Sequence, residues 1–370
     1  MTSSPFTRRR PIALTAALAT VTASLIGIFA AVPTLAQTAA PAASLMQYEG
    51  ADRTDKLIAA AAKEDNTLTL YTAFRPEDLP AIIGPFEKKY NIKVKAWRSG
   101  SDNVTQRVLT EASGKRFEVD AIMEPAQDME AIRREQLLQP VKSPYFKDLA
   151  KGAVPAHREY ASVLLNVVVQ AYNPTVLKKE DLPKSFEDLT DPKWKGKLGI
   201  ESKAEEWYAT VVNSRGEQKG IKMFHDITQT NGVSVRLGMS LLHNLVLARE
   251  VPLALTMYID LAEKSKRAGK PIDWFSLDPA VAEGFNIGLA RQSPHPNAAL
   301  LFYDYMLSPE VQQLLASKMY YPASAKVASP YPELAKTMKF VDPGYTVDNS
   351  AKWTKSYSDV VTNQAGGQAK

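Results

Sequence analysis

Apolar residues recur along this chain with two spacings, and stretches of the two kinds alternate. Residues 53–63 (RTDKLIAAAAK) carry the period of an amphipathic helix. Residues 67–71 (TLTLY) alternate polar and apolar side chains, as a half-buried strand does. Residues 79–90 place Leu79, Ile82, Ile83 and Phe86 on one helical face, and residues 92–97 return to a strand. A Ser99-Gly100-Ser101-Asp102 turn leads into a helix predicted over 104–113. A short buried strand at 119–123 and a helix at 129–135 follow. This order and spacing predict a mostly parallel sheet with helices on both faces.

Residues 161–172 (ASVLLNVVVQAY) form a long extended run without turn residues. Residues 182–198 read as loop, rich in Pro, Lys and Trp, around a short helix at 186–189. The pattern restarts at Gly199-Ile200-Glu201, with helices predicted at 205–213, 221–228 and 240–249, a strand at 253–257 and a helix at 261–268. A second extended run at 285–289 precedes a strongly apolar helix at 297–307. Two α/β units joined by two extended runs predict a chain that passes twice between lobes. The expected class is α/β: two lobes, each a mostly parallel sheet flanked by helices, joined by a two-crossing hinge. Lobe 1 is expected to comprise residues 51–165 with 276–320, and lobe 2 residues 166–275 with 321–360.

The N-terminus reads differently. Arg8, Arg9 and Arg10 precede an apolar run over residues 12–32, and Thr34-Leu35-Ala36 sets small residues where a signal peptidase inspects the chain. Residues 1–36 are therefore expected to be a secretory signal peptide, residues 37–50 a flexible leader and residues 361–370 a flexible tail. The basic triplet loosely matches a twin-arginine signal but Pro11 departs from it, so the export route stays open. Cleavage would lower the formal charge from +5 to +2, which leaves nothing for nucleic-acid binding to rest on. The absence of cysteine excludes disulfides, thiolate metal sites, a cysteine nucleophile and lipid attachment at a lipobox. The expected location is the periplasm.

Several phrases then stand in a recognisable order. They are Leu68-Thr69-Leu70-Tyr71-Thr72, Pro85-Phe86-Glu87-Lys88-Lys89-Tyr90 and the Gly100-Ser101 turn. Asp191-Pro192-Lys193-Trp194-Lys195-Gly196-Lys197 and Arg249-Glu250-Val251-Pro252-Leu253-Ala254 follow, with Arg249 where glycine is usual. The longest is His295-Pro296-Asn297-Ala298-Ala299-Leu300-Leu301-Phe302, with Leu307-Ser308-Pro309-Glu310 after it. In this order the chain resembles the iron-type group of extracellular solute-binding proteins of bacterial ABC importers. The resemblance implies the type II periplasmic-binding-protein fold, a hinge and a small molecule held between the lobes. It also implies a permease and its ATPase as partners, no catalysis, and a monomer.

In such a fold ligands meet strand C-termini and helix N-termini, where free N–H groups carry partial positive charge. Arg75, after the first strand, is suited to pair with an anion. Ser99 and Ser101 flank a glycine that permits close approach, and Arg236 and Ser240 stand before another helix. Glu124 follows the strand at 119–123, Glu205 and Trp207 open the second lobe's first helix, and Tyr258 follows the strand at 253–257. These nine residues are the expected ligand contacts. The resemblance bears on the cargo as well. Iron binders of the group carry two adjacent tyrosines where this chain reads Met257-Tyr258-Ile259-Asp260, and many carry a histidine where Phe74 and Arg75 stand. Tyr320-Tyr321, the adjacent pair, lies in a packing segment. A small anionic organic solute or oxyanion is thus the expected cargo, with no cofactor. The alternative is ferric ion on Tyr258, Glu124 and Asp260. A different role, presenting ligand to a periplasmic sensor domain, would use the same fold. No GxSxG, HExxH or GxxxxGK[ST] motif occurs, and His157, His225, His243 and His295 are too scattered for a triad or metal site. Glu205 and Glu206, consecutive on a helix, are expected to point apart.

Overall fold

The computed structural model describes residues 45–363, which lie within one compact unit. The expected signal peptide falls outside the described residues. Among those described, no helix is long and apolar enough to cross a membrane.

The elements follow the predicted alternation. Helix α1 (Arg53–Ala61) precedes β1 (Thr67–Thr72), α2 (Leu79–Tyr90), β2 (Lys93–Arg98), α3 (Ser101–Ser113), β3 (Ala121–Pro125) and α4 (Ala126–Arg134). The long β4 (Tyr160–Tyr172) leads to β5 (Leu198–Glu201), α5 (Glu205–Ser214), α6 (Glu217–Asn231), β6 (Ser234–Arg236), α7 (Met239–Leu247), β7 (Leu253–Tyr258) and α8 (Ile259–Arg267). After β8 (Asp273–Phe275) and β9 (Ala280–Leu289) come α9 (Pro296–Leu307), α10 (Pro309–Ser317), β10 (Tyr321–Pro322) and β11 (Met338–Phe340). Two short helices, α11 (Pro343–Asp348) and α12 (Ser350–Tyr357), complete the order. Helix α2 shows why the periodicity was informative. Leu79, Ile82 and Phe86 are its buried residues, and Asn91 ends it in a left-handed conformation, its N–H donating to the Glu87 carbonyl.

One sheet runs through the molecule in the order β2-β1-β3-β9-β4-β7-β5-β6. Strands β2, β1 and β3 are parallel in one lobe, and β7, β5 and β6 in the other. The strands between them are antiparallel: β9 against β3, β4 against β9, and β7 against β4. The parallel pattern thus holds within each lobe, while the connecting strands reverse it. Each lobe has its own core. Leu70, Phe86, Leu300 and Phe302 sit in the first, and Phe186, Trp194, Trp207 and Trp353 in the second.

Three boundaries differ from expectation. Strand β9 begins at Ala280, because Ala280–Ala282 pair with β11, and Val281 and Ala282 with β4 as well. It therefore passes between lobes at Glu283–Gly284. A β-carbon at Gly284 would stand 2.5 Å from Ser162 Oγ on β4, so the Ser162–Asn286 side-chain hydrogen bond occupies the space that glycine leaves. The end of the expected leader is packed: Met46 is buried and Leu45 accepts a hydrogen bond from Arg53. The expected tail likewise starts late, since Val361 is buried in the second core.

Candidate functional site

Loops at the strand ends of the two lobes face one another, and three ion pairs join them. Arg75 Nη2 lies 2.9 Å from Asp260 Oδ2, Lys264 Nζ lies 3.0 Å from Asp78, and Lys203 Nζ lies 2.8 Å from Asp102. Thr72 shapes the first loop by donating to the Met123 carbonyl and accepting from the Phe74 N–H. Glu201 shapes the opposing loop: its Oε1 accepts from the N–H of Gly238, whose φ of 104° turns the chain into α7.

Two chambers open between these loops. The first, about 270 Å³, is lined by Arg75, Ser101, Met239, Ser240, Tyr258 and Tyr320, among others. Sequence reasoning drew four of these, Arg75, Ser101, Ser240 and Tyr258, from separate parts of the chain, and the fold brings them together. The second chamber, about 570 Å³, shares Ser101, Pro125 and Tyr258 with the first. Its charged wall is Asp102, Asp128, Lys203, Glu205, Glu206 and Glu283. A recess of about 40 Å³ runs inward from there between Glu206, Glu283, Tyr258, Thr256 and Trp207.

The second chamber is electrostatically unusual. Glu206 and Glu283 line the same recess, close enough for the charge of Glu283 to raise Glu206. Burial is the main cause that raises both, with the Glu283 charge adding to it for Glu206. Glu283 reaches about 7. Burial, then the neighbouring Asp102 charge, pushes Asp128 up to about 6. Burial raises Glu205 too, and it lifts the Tyr258 phenol above its ordinary range with help from Glu283 and Glu206. Five acidic groups thus face one space with a single lysine, Lys203, and Lys203 is already paired with Asp102.

These shifts fix a pH dependence. A carboxyl whose folded value lies above its unfolded one binds its proton more tightly in the folded chain. The resulting penalty is full above about pH 7 and disappears as the pH falls towards the ordinary 4.5 of a glutamate. Acidification therefore strengthens this contribution in the cation-free protein. Glu283→Gln is expected to melt higher than the unaltered protein at about pH 8, with the difference closing near pH 4.5. A gap that widened on acidification would contradict the assignment.

Several expected contacts are placed otherwise. The charge of Arg75 is committed to Asp260, a buried residue that also lies 3.7 Å from Lys264, so Asp260 is not a free metal ligand. Arg236 is exposed, donates to the Val235 carbonyl, and lines neither chamber, although Gly238, Met239 and Ser240 just beyond it line the first. Ser99 accepts from Asn103 within α3's first turn and also lines neither chamber. Glu124 is fully buried beneath the cleft floor, both oxygens unpartnered, and burial followed by the Asp128 charge pushes it up to about 9. Trp207 packs edge-on against Phe186 and Phe224 as a core residue, with its Nε1 unpartnered beside the recess. Glu205 and Glu206, expected to point apart, line the same chamber because α5 begins at its wall. The residues missed were Asp128, Lys203 and Glu283, and Glu283 carried no signal, since it lies in an extended run. His295 is structural as expected, with Nδ1 2.9 Å from Asp120.

A family model described as bacterial extracellular solute-binding protein matches residues 123–347. The chain belongs to that family. As a solute-binding protein it is 26% identical over 164 residues to the Fe(3+)-binding periplasmic protein of Serratia marcescens, a match covering 44% of this chain and 48% of that protein. It is 24% identical over 294 residues to iron uptake protein A1 of Synechocystis sp. (strain ATCC 27184 / PCC 6803 / Kazusa), covering 74% and 80%. The fold is shared with iron-bound HitA from Pseudomonas aeruginosa at a TM-score of 0.69 and 21% identity, over 80% of this chain and 99% of that one. It is shared equally with AfuA from Actinobacillus pleuropneumoniae, solved with fructose-6-phosphate bound, at a TM-score of 0.68 and 20% identity, over 80% and 98%. The solute-binding protein thus has the type II periplasmic fold, and proteins named for iron are among its relatives.

Proposed function

We propose that this solute-binding protein captures ferric iron in the periplasm and delivers it to an ABC permease and its ATPase. The observation that carries the reading is the Glu206–Glu283 pair at the recess it shares with Tyr258. Ferric ion is a hard cation that favours anionic oxygen, and two carboxylates with a phenolate would match its charge of three. The groups that burial keeps protonated are those a trivalent cation would deprotonate, exchanging unfavourable proximity for coordination. Asp128 faces them from the other lobe, so closure would add a fourth oxygen donor. Among the described residues no three His, Cys, Asp or Glu side chains converge as a metal group, and the reading accordingly rests on two carboxylates plus tyrosine. The iron-binding names of the Serratia and Synechocystis relatives support it. The anion reading loses its carriers, since Arg75 is neutralised by Asp260 and Arg236 lies outside the cleft.

Titration with ferric citrate tests this directly. A visible tyrosinate-to-iron absorption band is the expected result, and Tyr258→Phe is expected to abolish it while the protein stays folded. Affinity should fall as the pH drops through about 7 to 6, where Glu283 and Asp128 hold their protons. A colourless protein with no thermal stabilisation would end the iron reading. The 570 Å³ of the second chamber favour one further reading, an organic polyamine paired with the carboxylates. It predicts stabilisation by amines and no absorption band.

A further inference from the structure

A ferric ion seated in the recess would leave the second chamber itself unexplained. Its volume of about 570 Å³ lies in the range that holds small organic ligands. Helix α11 packs along α4, and α12 buries Trp353 in the second core, its ring edge-on to Tyr208 at 6.1 Å. Thr346, Ser350, Trp353 and Thr354 of these two helices line the chamber together with the carboxylates. Among the described residues, two buried groups that can only donate a hydrogen bond have no partner, the indole N–H groups of Trp207 and Trp353. Trp353 is fully buried and lines the chamber. Trp207 is 3% exposed and lines the recess, which shares Glu206, Tyr258 and Glu283 with the chamber. Buried donors without a partner are uncommon, because their lost hydration goes uncompensated. Both N–H groups therefore require an acceptor from outside the chain.

The carboxylates of Asp128, Glu205 and Glu206 set the opposite demand, for donors. An anionic ligand would meet their repulsion, with Lys203 already paired to Asp102. A polyamine would satisfy the carboxylates and leave both indole N–H groups without an acceptor. A hydroxyl group answers both demands, since it donates one hydrogen bond and accepts others, and its bond to a carboxylate is charge-assisted. We propose that the second chamber binds a neutral, polyhydroxylated molecule of sugar size. Its hydroxyls donate to the carboxylates and accept from the Trp353 indole N–H and from the Ser350 and Thr354 hydroxyls, while the Trp207 N–H serves the oxygen that reaches the recess. This site stands on the lining of the chamber and is independent of the ferric reading.

Calorimetric titration of the metal-free protein with glucose, ribose, mannitol and inositol tests this, with spermidine and a hexose phosphate as charged comparators. At least one neutral polyol is expected to bind with a Kd below about 1 mM, and more tightly than either comparator. Trp353→Phe keeps an aromatic ring in the second core and removes the donor. Thr354→Val keeps the branched shape and removes the hydroxyl at an exposed position, so it separates a lost contact from a fold defect in the first variant. Each is expected to weaken the polyol by roughly threefold to tenfold, the size of one hydrogen bond. No polyol binding, tighter binding of spermidine or of the phosphate, or undiminished polyol binding in both variants overturns the proposal. A tyrosinate-to-iron band without polyol binding would overturn this site and leave the ferric reading standing. Polyol binding by a protein that ferric citrate leaves colourless would do the reverse.

Discussion

Replacing Glu206 and Glu283 together by glutamine is expected to weaken ferric binding by roughly a hundredfold to ten-thousandfold. Each carboxylate would supply a charged contact of about 1.5–3 kcal/mol, and the two act on one ion in a recess of about 40 Å³. Glutamine keeps the shape and one acceptor but cannot become anionic, so the loss reports charge rather than packing. The same variant should melt higher than the unaltered protein without cargo at about pH 8, because it no longer buries carboxylates that repel each other. Competition against a coloured chelator gives the affinity, and thermal unfolding gives the second sign. Unchanged affinity with raised stability would place the ion elsewhere and leave the pair as a strained feature of the hinge strand.

The largest effect on folding is expected from Arg53→Ala. Arg53 is 2% exposed, its Nε lies 2.5 Å from Asp304, and it donates to the Leu45 carbonyl at 2.7 Å. Burial, opposed by the Arg53 contact, raises Asp304, and Ser143 supplies its other donor at 2.8 Å. Without the guanidinium the carboxyl is left buried and nearly unpartnered, and removing one member of such a pair costs about 3–5 kcal/mol. Denaturant unfolding should show that loss with little change in slope. Arg53→Met with Asp304→Leu should recover much of it, since both charges then leave together. A loss below about 1 kcal/mol in the single variant would mean that water reaches Asp304.

The two cases show what was legible in residue order and what was not. The α/β alternation and the extended runs at 161–172 and 285–289 rest on local periodicity, which neighbouring residues alone encode, whereas the start of β9 at Ala280 was not legible there. Arg75, Ser101, Ser240 and Tyr258 were found because strand and helix ends are visible in a sequence, and such ends converge in this fold. Arg236 passed the same test and failed because its side chain is exposed while Gly238, Met239 and Ser240 just beyond it line the chamber, a side-chain direction that no window of residues contains. Glu283 was invisible for a related reason. It lies in an extended run, and only the fold sets it in one chamber with Glu206 of α5.

What residue order determined by itself was the class of molecule: two α/β lobes, the family phrases between Leu68 and Glu310, and a chain without cysteine chemistry. Only the folded arrangement decided the charge of the cleft. It neutralised Arg75 with Asp260 and gathered Asp128, Glu205, Glu206 and Glu283 around Tyr258. The physical reason is range. Periodicity acts over a few residues, whereas the energy of a charge depends on what is buried beside it, and those neighbours come from distant parts of the chain.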